Sequence, residues 1–317
     1  QDKKYFLSFG DYLKSLYGEK IYKVTLDAGF SCPNRDGTLS DEGCIFCDET
    51  GSFSRLYPSS MPIKEQLIEG MLKIKNRYHV NKFLAYFQAY SNTYKPLNEL
   101  KKIYDEVFID NVVGMSIGTR PDCVNEEKLD LISSYNIENR FIQIEYGIQS
   151  VHDKTLKFIN RGHDFECFQK ACQLSKERNL KICAHVILGL PNESHNDMME
   201  TAKTLAQMDI DGIKIHMLAV MEGTKIHKMY ENGEINLLSE DEYISTVCDF
   251  LEYLPQKMVI QRLAGNGKRE FRIQPKWLGK KLELVGKIES EFERRGTKQP
   301  PRSPSSSISS ETSGSAA

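Results

Sequence analysis

The 317-residue chain lacks several features that would assign it to a special class of protein. It has no run of eighteen apolar residues, so no transmembrane helix is predicted. The first ten residues, QDKKYFLSFG, lack the basic-then-apolar layout of a signal peptide, and we expect a cytoplasmic protein with no membrane partner. Neither sign of charge predominates, since 44 Asp and Glu face 42 Lys and Arg, which argues against a polycation that coats nucleic acid.

Cysteine is also scarce, because eight residues in a chain of this length are too few for a fold that depends on disulfides. Five of them are scattered singly, mostly among apolar neighbours, where a free cysteine usually behaves as a small buried hydrophobic residue. The other three crowd into one short segment. With 40% hydrophobic and 27% charged residues, the composition is that of a globular protein able to bury a core.

Short runs rich in β-branched residues alternate with longer amphipathic stretches from residue 20 or so to residue 218. The predicted strands are Ile21 to Asp27, Phe83 to Gln88, Val113 to Thr119, Phe141 to Gly147, Ile182 to Leu188 and Gly212 to Leu218. The predicted helices are Ile63 to Tyr78, Leu97 to Phe108, Glu126 to Ser134, Asp153 to Ile159, Phe165 to Arg178 and Ser194 to Gln207. Because parallel strands need crossover connections, this pattern predicts an α/β protein with a parallel sheet. A doubly wound sheet and an incomplete barrel both fit it.

One face of these strands is unusually polar, since residues two apart in a strand share a face. That face carries Thr25, Asp27, Tyr86, Gln88, Ser116, Gln143, Glu145, His185, Lys214 and His216. A closed eight-stranded barrel fills its interior with branched aliphatic side chains, so a polar interior favours a wider or open barrel around a ligand chamber. The alternative is that many of these side chains face outward and meet solvent.

The alternation stops after residue 219, and the rest of the chain has a different character. Residues 219–295 predict a small α+β extension, with a helix from Glu240 to Tyr253 and a strand from Met258 to Leu263. From Arg262 to Arg302 we count twelve basic and five acidic residues, a net charge of +7. Residues 296–317 are rich in Pro and Ser and predict a disordered tail. Residues 1–218 are then the core barrel.

The segment CPNRDGTLSDEGCIFC, residues 32–47, directly follows the first predicted strand and has the spacing C-x11-C-x2-C. Because α/β proteins place their sites at the carboxyl ends of strands, three thiols here predict a soft metal centre. Structural zinc normally takes four protein ligands, whereas an iron–sulfur cubane on three cysteines leaves one iron open. Zinc would need a fourth ligand such as His79 or His185, and a redox dithiol of the last two cysteines would leave the first unexplained.

This cysteine loop, with Phe46 before its last cysteine and six βα units around it, resembles a radical S-adenosylmethionine (SAM) enzyme. The wide gap departs from the common C-x3-C-x2-C and is similar to that of the YhcC/YtqA-type radical SAM family, a relative of the Elongator catalytic subunit. Five further segments share the resemblance, which covers most of the chain: YFQAYSNTY (86–94), GMSIGTRPDCV (114–124), IEYGIQSVHDKTLKFINRGHD (144–164), HVILGLPNES (185–194) and VIQRLAGNGKRE (259–270).

The resemblance implies a partial (β/α)6 TIM-like barrel with a [4Fe-4S] cluster on Cys32, Cys44 and Cys47. In radical SAM enzymes the amino and carboxylate groups of SAM bind the open iron. One electron from the reduced cluster then cleaves SAM to methionine and a 5'-deoxyadenosyl radical. The implied partners are therefore SAM and an electron donor such as flavodoxin or ferredoxin. A cavity that excludes water lets such a radical meet only its substrate.

The resemblance also implies positions for SAM near the ends of strands two and five. The oxygens of Ser91, Asn92 and Thr93 stand where the superfamily has a Gly-Gly-Glu-like segment that accepts hydrogen bonds from the SAM amino group. Gly189 begins a turn similar to one that supports the adenine. The structural alternatives are a polar turn and an ordinary strand-to-helix turn.

Four further side chains resemble SAM contacts. Glu145 and Gln149, in the pattern E-x-G-x-Q, are similar to residues that meet the ribose hydroxyls and the carboxylate side of SAM. Arg161 suits the SAM carboxylate, because a guanidinium matches a planar oxyanion. Arg120 suits SAM or a substrate phosphate. The alternative for each is an ion pair that holds a loop.

The same resemblance implies a substrate, because bacterial members of this family are tied to modification of the wobble uridine of tRNA in the pathway to 5-methylaminomethyl-2-thiouridine. The basic segment from Arg262 to Arg302, with Phe271, Trp277 and Tyr253 as possible stacking partners, offers some support for a tRNA partner. Two alternatives remain open. One is a radical SAM enzyme for a small molecule or peptide, and the other is a zinc-dependent RNA-binding module without catalysis.

Overall fold

The structure is a computed structural model that describes residues 4–48, 51, 57–58, 60–137, 139–265, 271–279 and 281–300. Helices and strands alternate along most of this length. Their bounds are α1 Phe9–Tyr17, β1 Ile21–Leu26, α2 Ile63–Tyr78, β2 Lys82–Phe87, α3 Leu97–Asp105, β3 Val112–Thr119, α4 Glu126–Ser133, β4 Phe141–Gln149, α5 Asp153–Phe158, α6 Phe165–Glu177, β5 Lys181–Leu188, α7 His195–Gln207, β6 Gly212–Met217, β7 Val220–Met221, α8 Lys225–Glu231, α9 Glu240–Tyr253, β8 Val259–Arg262, β9 Arg272–Gln274 and α10 Lys281–Arg295.

The described strands form a seven-stranded parallel sheet in the order β1-β2-β3-β4-β5-β6-β8. The six predicted strands are confirmed, with edges that differ from the prediction by two residues at most. The seventh was placed wrongly in a separate extension. Helices α8 and α9 act as one more crossover, and β8 pairs with β6, so that Lys214 lies opposite Arg262. The C-terminal segment therefore completes the sheet.

The central strand β4 shows how the sheet separates two chemistries. Its residues facing the helices, Ile142, Ile144 and Tyr146, are buried and apolar. Those on the other face, Gln143 and Glu145, are equally buried but polar. A parallel strand covered on both sides normally reads as a continuous apolar run, and this one alternates because its inner face lines a chamber. The predicted open barrel with a polar interior is confirmed.

The chamber is closed at the amino ends of the strands by helix α1. Ser8 accepts a hydrogen bond from the backbone N–H of Asp11 and begins this helix, and Gly18, at φ 77°, ends it. Its Leu13 packs against Leu84 of β2 and Phe141 of β4. Because this end is sealed by apolar side chains, side chains at the carboxyl ends of the strands define the other end of the chamber.

Beyond the sheet, β7 and β9 pair antiparallel, and Phe292 of helix α10 is fully buried against the ring of Tyr5. The predicted tail begins too early. Gln299 is 1% exposed, and its side chain donates to the carbonyls of Pro255 and Met258, so the packed chain extends at least to that residue. Residues 301–317 of the predicted tail lie outside the described residues.

Where the structure is described, each helix is too short or too polar to traverse a lipid bilayer.

Candidate active site

Arg35 ties together the two ends of the cysteine loop that follows β1. Its backbone N–H donates to the carbonyl of Cys32 at 2.9 Å, which makes a turn at the first cysteine. Its guanidinium reaches across the loop to the carbonyls of Cys47 and Asp48, at 3.1 and 2.8 Å. A single arginine therefore links the turn at the first cysteine to the backbone at the last cysteine.

A second set of hydrogen bonds fixes the loop to the segment that follows α5. The Asn34 side chain donates to the carbonyl of Asn160 at 2.6 Å, and the Asn160 side chain donates back to the carbonyl of Gly43 at 2.7 Å. Asn160 has φ 52°, a left-handed conformation that asparagine tolerates better than most residues. The Ile45 N–H also donates to the carbonyl of Ile159. These bonds use backbone and amide groups and leave the thiols for other partners.

The three cysteines line one cavity of about 230 Å³ together with polar and apolar side chains from the strand ends. None of the three is in a disulfide, and Cys44 is buried. Around its sulfur lie the guanidinium of Arg161 at 3.5 Å and the amide nitrogen of Asn34 at 3.6 Å. In the described ranges, no group of three or more His, Cys, Asp or Glu side chains meets the spacing of a single metal ion.

The E-x-G-x-Q pattern on β4 has a clear local cause. The pairing of β4 with β5 slips between Gly147 and Gln149, and Gln149 has φ 75°, so a bulge at the strand end aims residues into the cavity. Arg161 lies across this bend, with two guanidinium nitrogens on the carbonyl of Gly147 at 3.1 and 2.6 Å. A Cβ at position 147 would come within 2.8 Å of the Gln149 amide and 2.9 Å of the Arg161 guanidinium, so both side chains would have to move.

The predicted SAM contacts fall into two groups. Ser91, Arg120, Glu145, Gln149 and Arg161 line the cavity together with the three cysteines. Asn92, Thr93 and Gly189 are described but lie outside its lining.

The residues outside the lining have other partners. The Asn92 amide donates to the carbonyl of Gly118 at 2.7 Å. The Thr93 hydroxyl contacts that of Thr119 at 2.7 Å and the carbonyl of Cys123 at 2.8 Å. Their side chains thus hold the turn after β2 against β3, and Gly189 forms a left-handed turn after β5.

Arg120 leaves one nitrogen unused. Two of its guanidinium nitrogens donate to both carboxylate oxygens of Asp122, at 2.9 and 2.7 Å, and the side chain is 2% exposed. Its Nη1 has no hydrogen-bond partner among the described residues. The missing side chain of Gly162 gives the guanidinium room, because a Cβ there would lie 3.2 Å from Nη2. A buried, unsatisfied donor in a cavity wall is what a bound anionic group would satisfy.

The floor of the cavity is a network of buried charges around Glu145, which has no exposed surface. Its carboxylate accepts from Lys23 at 3.0 Å, from Ser116 at 2.6 Å, from His185 at 2.8 Å and from Lys214. Burial alone raises the pKa of this carboxyl, but Lys214, Lys23 and His185 outweigh it and hold the pKa well below its ordinary value. Glu145 is therefore ionised near pH 7.

The pKa values of the two imidazoles in this floor are also lowered, but for a base this favours the neutral form. Burial, with a contribution from Lys214, lowers the pKa of His185 to about 4. Burial, Arg262 and His185 push the pKa of His216 well below its usual value. Both imidazoles are therefore neutral near pH 7, and their rings lie 5.5 Å apart.

Three floor residues escaped the sequence reading. Lys23 lies two residues before Thr25 and so on the same strand face, and this spacing could have identified it. Gln261, which donates to Gln143 at 3.0 Å, and Arg262, which lines the cavity, enter the floor because β8 joins the sheet. From the sequence, Arg262 counts in the basic segment that supports a tRNA partner, whereas the structure places it in the lining of the cavity.

Comparison with known proteins agrees with this geometry. The chain matches the Radical SAM superfamily over residues 36–205 and the Radical_SAM C-terminal domain over residues 210–294. It therefore belongs to the radical SAM superfamily of enzymes.

Within the superfamily, the chain is 41% identical to YtqA of Bacillus subtilis (strain 168) over 293 residues, which is 91% of this chain and 89% of YtqA. It is 38% identical to YhcC of Escherichia coli (strain K12) over 270 residues, 85% of this chain and 86% of YhcC. The chain is therefore a member of the YhcC/YtqA-type radical SAM family, as its motifs predicted.

More distant proteins share only part of the chain or only its fold. The tRNA uridine(34) acetyltransferase of Methanocaldococcus infernus is 30% identical over 172 residues, which is 53% of this chain and 31% of that protein. The solved structure of Elp3 from the same organism has a TM-score of 0.66 at 18% identity and covers 88% of this chain and 64% of its own. The predicted relation to the Elongator group is thereby confirmed, and the structure match supports the fold.

Proposed function

We propose that Cys32, Cys44 and Cys47 bind a [4Fe-4S] cluster and that the chain cleaves SAM with it. The observation that carries this proposal is that three cysteines, none of them in a disulfide, line one cavity at the carboxyl end of a parallel sheet although eleven residues separate the first from the second. The donor set fits such a cluster, because thiolates are its usual ligands and three of them leave one iron open. When bound, the cluster would supply the electron that cleaves SAM to methionine and a 5'-deoxyadenosyl radical.

The residues of this chain would prepare the site for that chemistry. Arg161 and Asn34 donate toward the Cys44 sulfur, and such bonds tune a cluster. Arg120 would offer its free Nη1 to an anionic group of SAM, and the Ser91 hydroxyl and Gln149 amide would complete a polar wall. The apolar lining, which includes Phe46, Ile187, Met217, Leu218 and Met221, would exclude water from the radical.

We further propose tRNA as the substrate, with the wobble uridine as its target. Two features support this proposal: the partial similarity to an enzyme named for uridine 34 of tRNA, and the basic C-terminal segment. The structure weakens the second feature, because several of its cations are already used. Lys287 pairs with Glu240, and Arg295 pairs with Asp249.

Other cations of the basic C-terminal segment remain to contact the phosphates of an RNA. Lys276 and Lys298 are exposed, while Lys268 and Arg269 lie outside the described residues. An anticodon loop presents single-stranded bases, so a uridine could enter the cavity without the cost of opening a duplex.

Two experiments test these proposals separately. Anaerobically purified protein is reduced with dithionite, and 5'-deoxyadenosine is measured by chromatography against a cluster-free control. We expect formation of 5'-deoxyadenosine above the control, and equal amounts would contradict SAM cleavage. For the substrate, nucleosides of tRNA from cells lacking the protein are analysed by mass spectrometry. We expect an altered set of wobble-uridine modifications, and an unchanged set would favour a small-molecule or peptide substrate.

A further inference from the structure

The floor of the cavity holds more positive than negative charge. Lys23, Lys214 and Arg262 surround the single carboxylate of Glu145 within the described residues. Lys214 and Arg262 are direct neighbours across the β6–β8 pairing, where like charges repel. Lys214 is buried, and burial lowers its pKa to about 7, whereas Lys23 and Arg262 are half-buried. Even with Lys214 neutral, two cations face one carboxylate, so the excess points to a missing anion.

Glu145 cannot serve as that partner for Arg262. Both lysines, His185 and Ser116 already occupy its two oxygens. Lys214 has a second acceptor in the Tyr86 hydroxyl at 2.8 Å, and both lysines also lie over the Tyr86 ring. The Arg262 side chain, by contrast, lines the cavity without a hydrogen-bond or ion-pair partner in the part of the chain that the structure describes.

His216 gives a second, independent sign of a ligand. It lines the cavity beside Arg262, and its Nε2 is buried with no hydrogen-bond partner among the described residues. Gly265 packs closely against the ring, since a Cβ at that position would come within 2.4 Å of Nδ1. A fixed imidazole with an unsatisfied nitrogen costs free energy unless a ligand meets it.

We infer that Arg262 and His216 form a subsite for an anionic group, a carboxylate or a phosphate, carried by the substrate. Arg262 would give the two parallel N–H donors that suit a planar oxyanion, and His216 in its Nε2–H tautomer would donate a third hydrogen bond. The inference rests on the proposed function for the reaction but concerns the substrate alone. It assigns to the floor of the cavity a negatively charged part of the substrate, opposite the cysteines.

The test follows the imidazole nitrogen resonances of His216 in ¹⁵N-labelled, anaerobically purified protein, assigned with a His216→Gln variant. Sodium acetate and inorganic phosphate are titrated at constant ionic strength, with acetamide as the uncharged match for acetate. We expect a saturable shift with at least one anion and none with acetamide. Arg262→Gln should weaken that binding about tenfold or more, the usual value of a charged hydrogen bond.

The controls separate the subsite from general effects. Arg262→Lys, which keeps the charge if Arg262→Gln does not fold, should retain most of the response. Arg294→Gln, on an exposed cation of helix α10, should leave it unchanged. Absence of a saturable shift, or an unaltered shift in Arg262→Gln, would overturn the inference.

A final arm assigns the anion to its source. If saturating SAM abolishes the acetate response, the subsite holds the SAM carboxylate, and the assignment to the substrate is wrong. If the response survives SAM, the assignment stands. Because neither turnover nor tRNA enters these measurements, failure of the subsite and failure of the proposed reaction give different results.

Discussion

The two ends of the cavity are built in opposite ways. At the cysteine end, Arg35, Asn34 and Asn160 bond to backbone carbonyls and hold the loop in place, and the donors aimed at the Cys44 sulfur are Asn34 and Arg161. At the floor, side chains bond to each other around Glu145, and almost every polar group is used. The first arrangement prepares ligands for a group that arrives from outside. The second arrangement pairs charges within the protein, and among the described floor residues Arg262 and the Nε2 of His216 have no such partner.

The comparison predicts that a cysteine variant changes the bound metal and spares the fold. Cys44→Ala should retain less than about a tenth of the wild-type iron and lose the brown colour, because each thiolate completes the coordination of one iron. Iron and acid-labile sulfide, measured after anaerobic purification, check this. Cys172→Ala removes a thiol that is buried in helix α6, and it should keep the full iron content. A Cys44→Ala protein with full iron would sink the assignment.

A floor variant should show the reverse, with a changed fold stability and an unchanged metal content. Glu145→Gln leaves Lys214 and Lys23 without a counter-charge and should lower the free energy of unfolding by about 3 kcal/mol or more. Urea denaturation of the variant and the wild type measures this difference in the free energy of unfolding. Adding Lys214→Met should restore part of the loss, since it removes the unpaired charge.

The matched control for this prediction is Glu69→Gln. It breaks an exposed ion pair with Lys73 on helix α2 and should cost less than about 0.5 kcal/mol. If Glu145→Gln were as mild as this surface variant, the floor would not be the tightly coupled network described above.

These two ends also differ in how far the sequence could predict them. The sequence could predict that the three cysteines lie together, because they are close in sequence and follow a strand, and their binding of a cluster stays a prediction. Predicting the floor required knowing which residues share one face of each strand. The two-residue period of a strand placed Glu145, His185 and Lys214 on that face correctly. Arg262 could not be placed, because nothing local shows that β8 passes over two helices to join β6. The SAM contacts Ser91, Arg120, Glu145, Gln149 and Arg161 line the cavity, and their roles remain predictions.

The floor should also make the protein sensitive to acid. Burial and Lys214 lower the pKa of His185 to about 4, so below the ordinary histidine pKa the unfolded chain takes up a proton that the folded chain refuses. The free energy of unfolding should therefore fall as pH drops from 6.5 to 5.0, by about 1.5 kcal/mol from this residue. Urea denaturation at both pH values should show a shallower fall in His185→Gln. An equal fall in both proteins would contradict a neutral buried imidazole.

A smaller effect is expected where the two ends meet. Gly147→Ala would push a methyl group against Arg161 and Gln149, so we expect SAM affinity to fall about tenfold with iron content unchanged. Equilibrium dialysis of SAM against the anaerobic protein measures this. Gly286→Ala, on helix α10 with open space around it, is the matched control and should bind SAM as the wild type does.

The central claim is that the cysteine end holds a [4Fe-4S] cluster with one iron open to SAM. Mössbauer spectroscopy of anaerobically purified, ⁵⁷Fe-labelled protein tests it most directly, because the spectrum distinguishes the iron that lacks a cysteine ligand. We predict one cluster for each chain, with the signal of a single iron changing when SAM is added. A protein that contains zinc in place of iron, or a cluster whose four irons ignore SAM, would contradict the account.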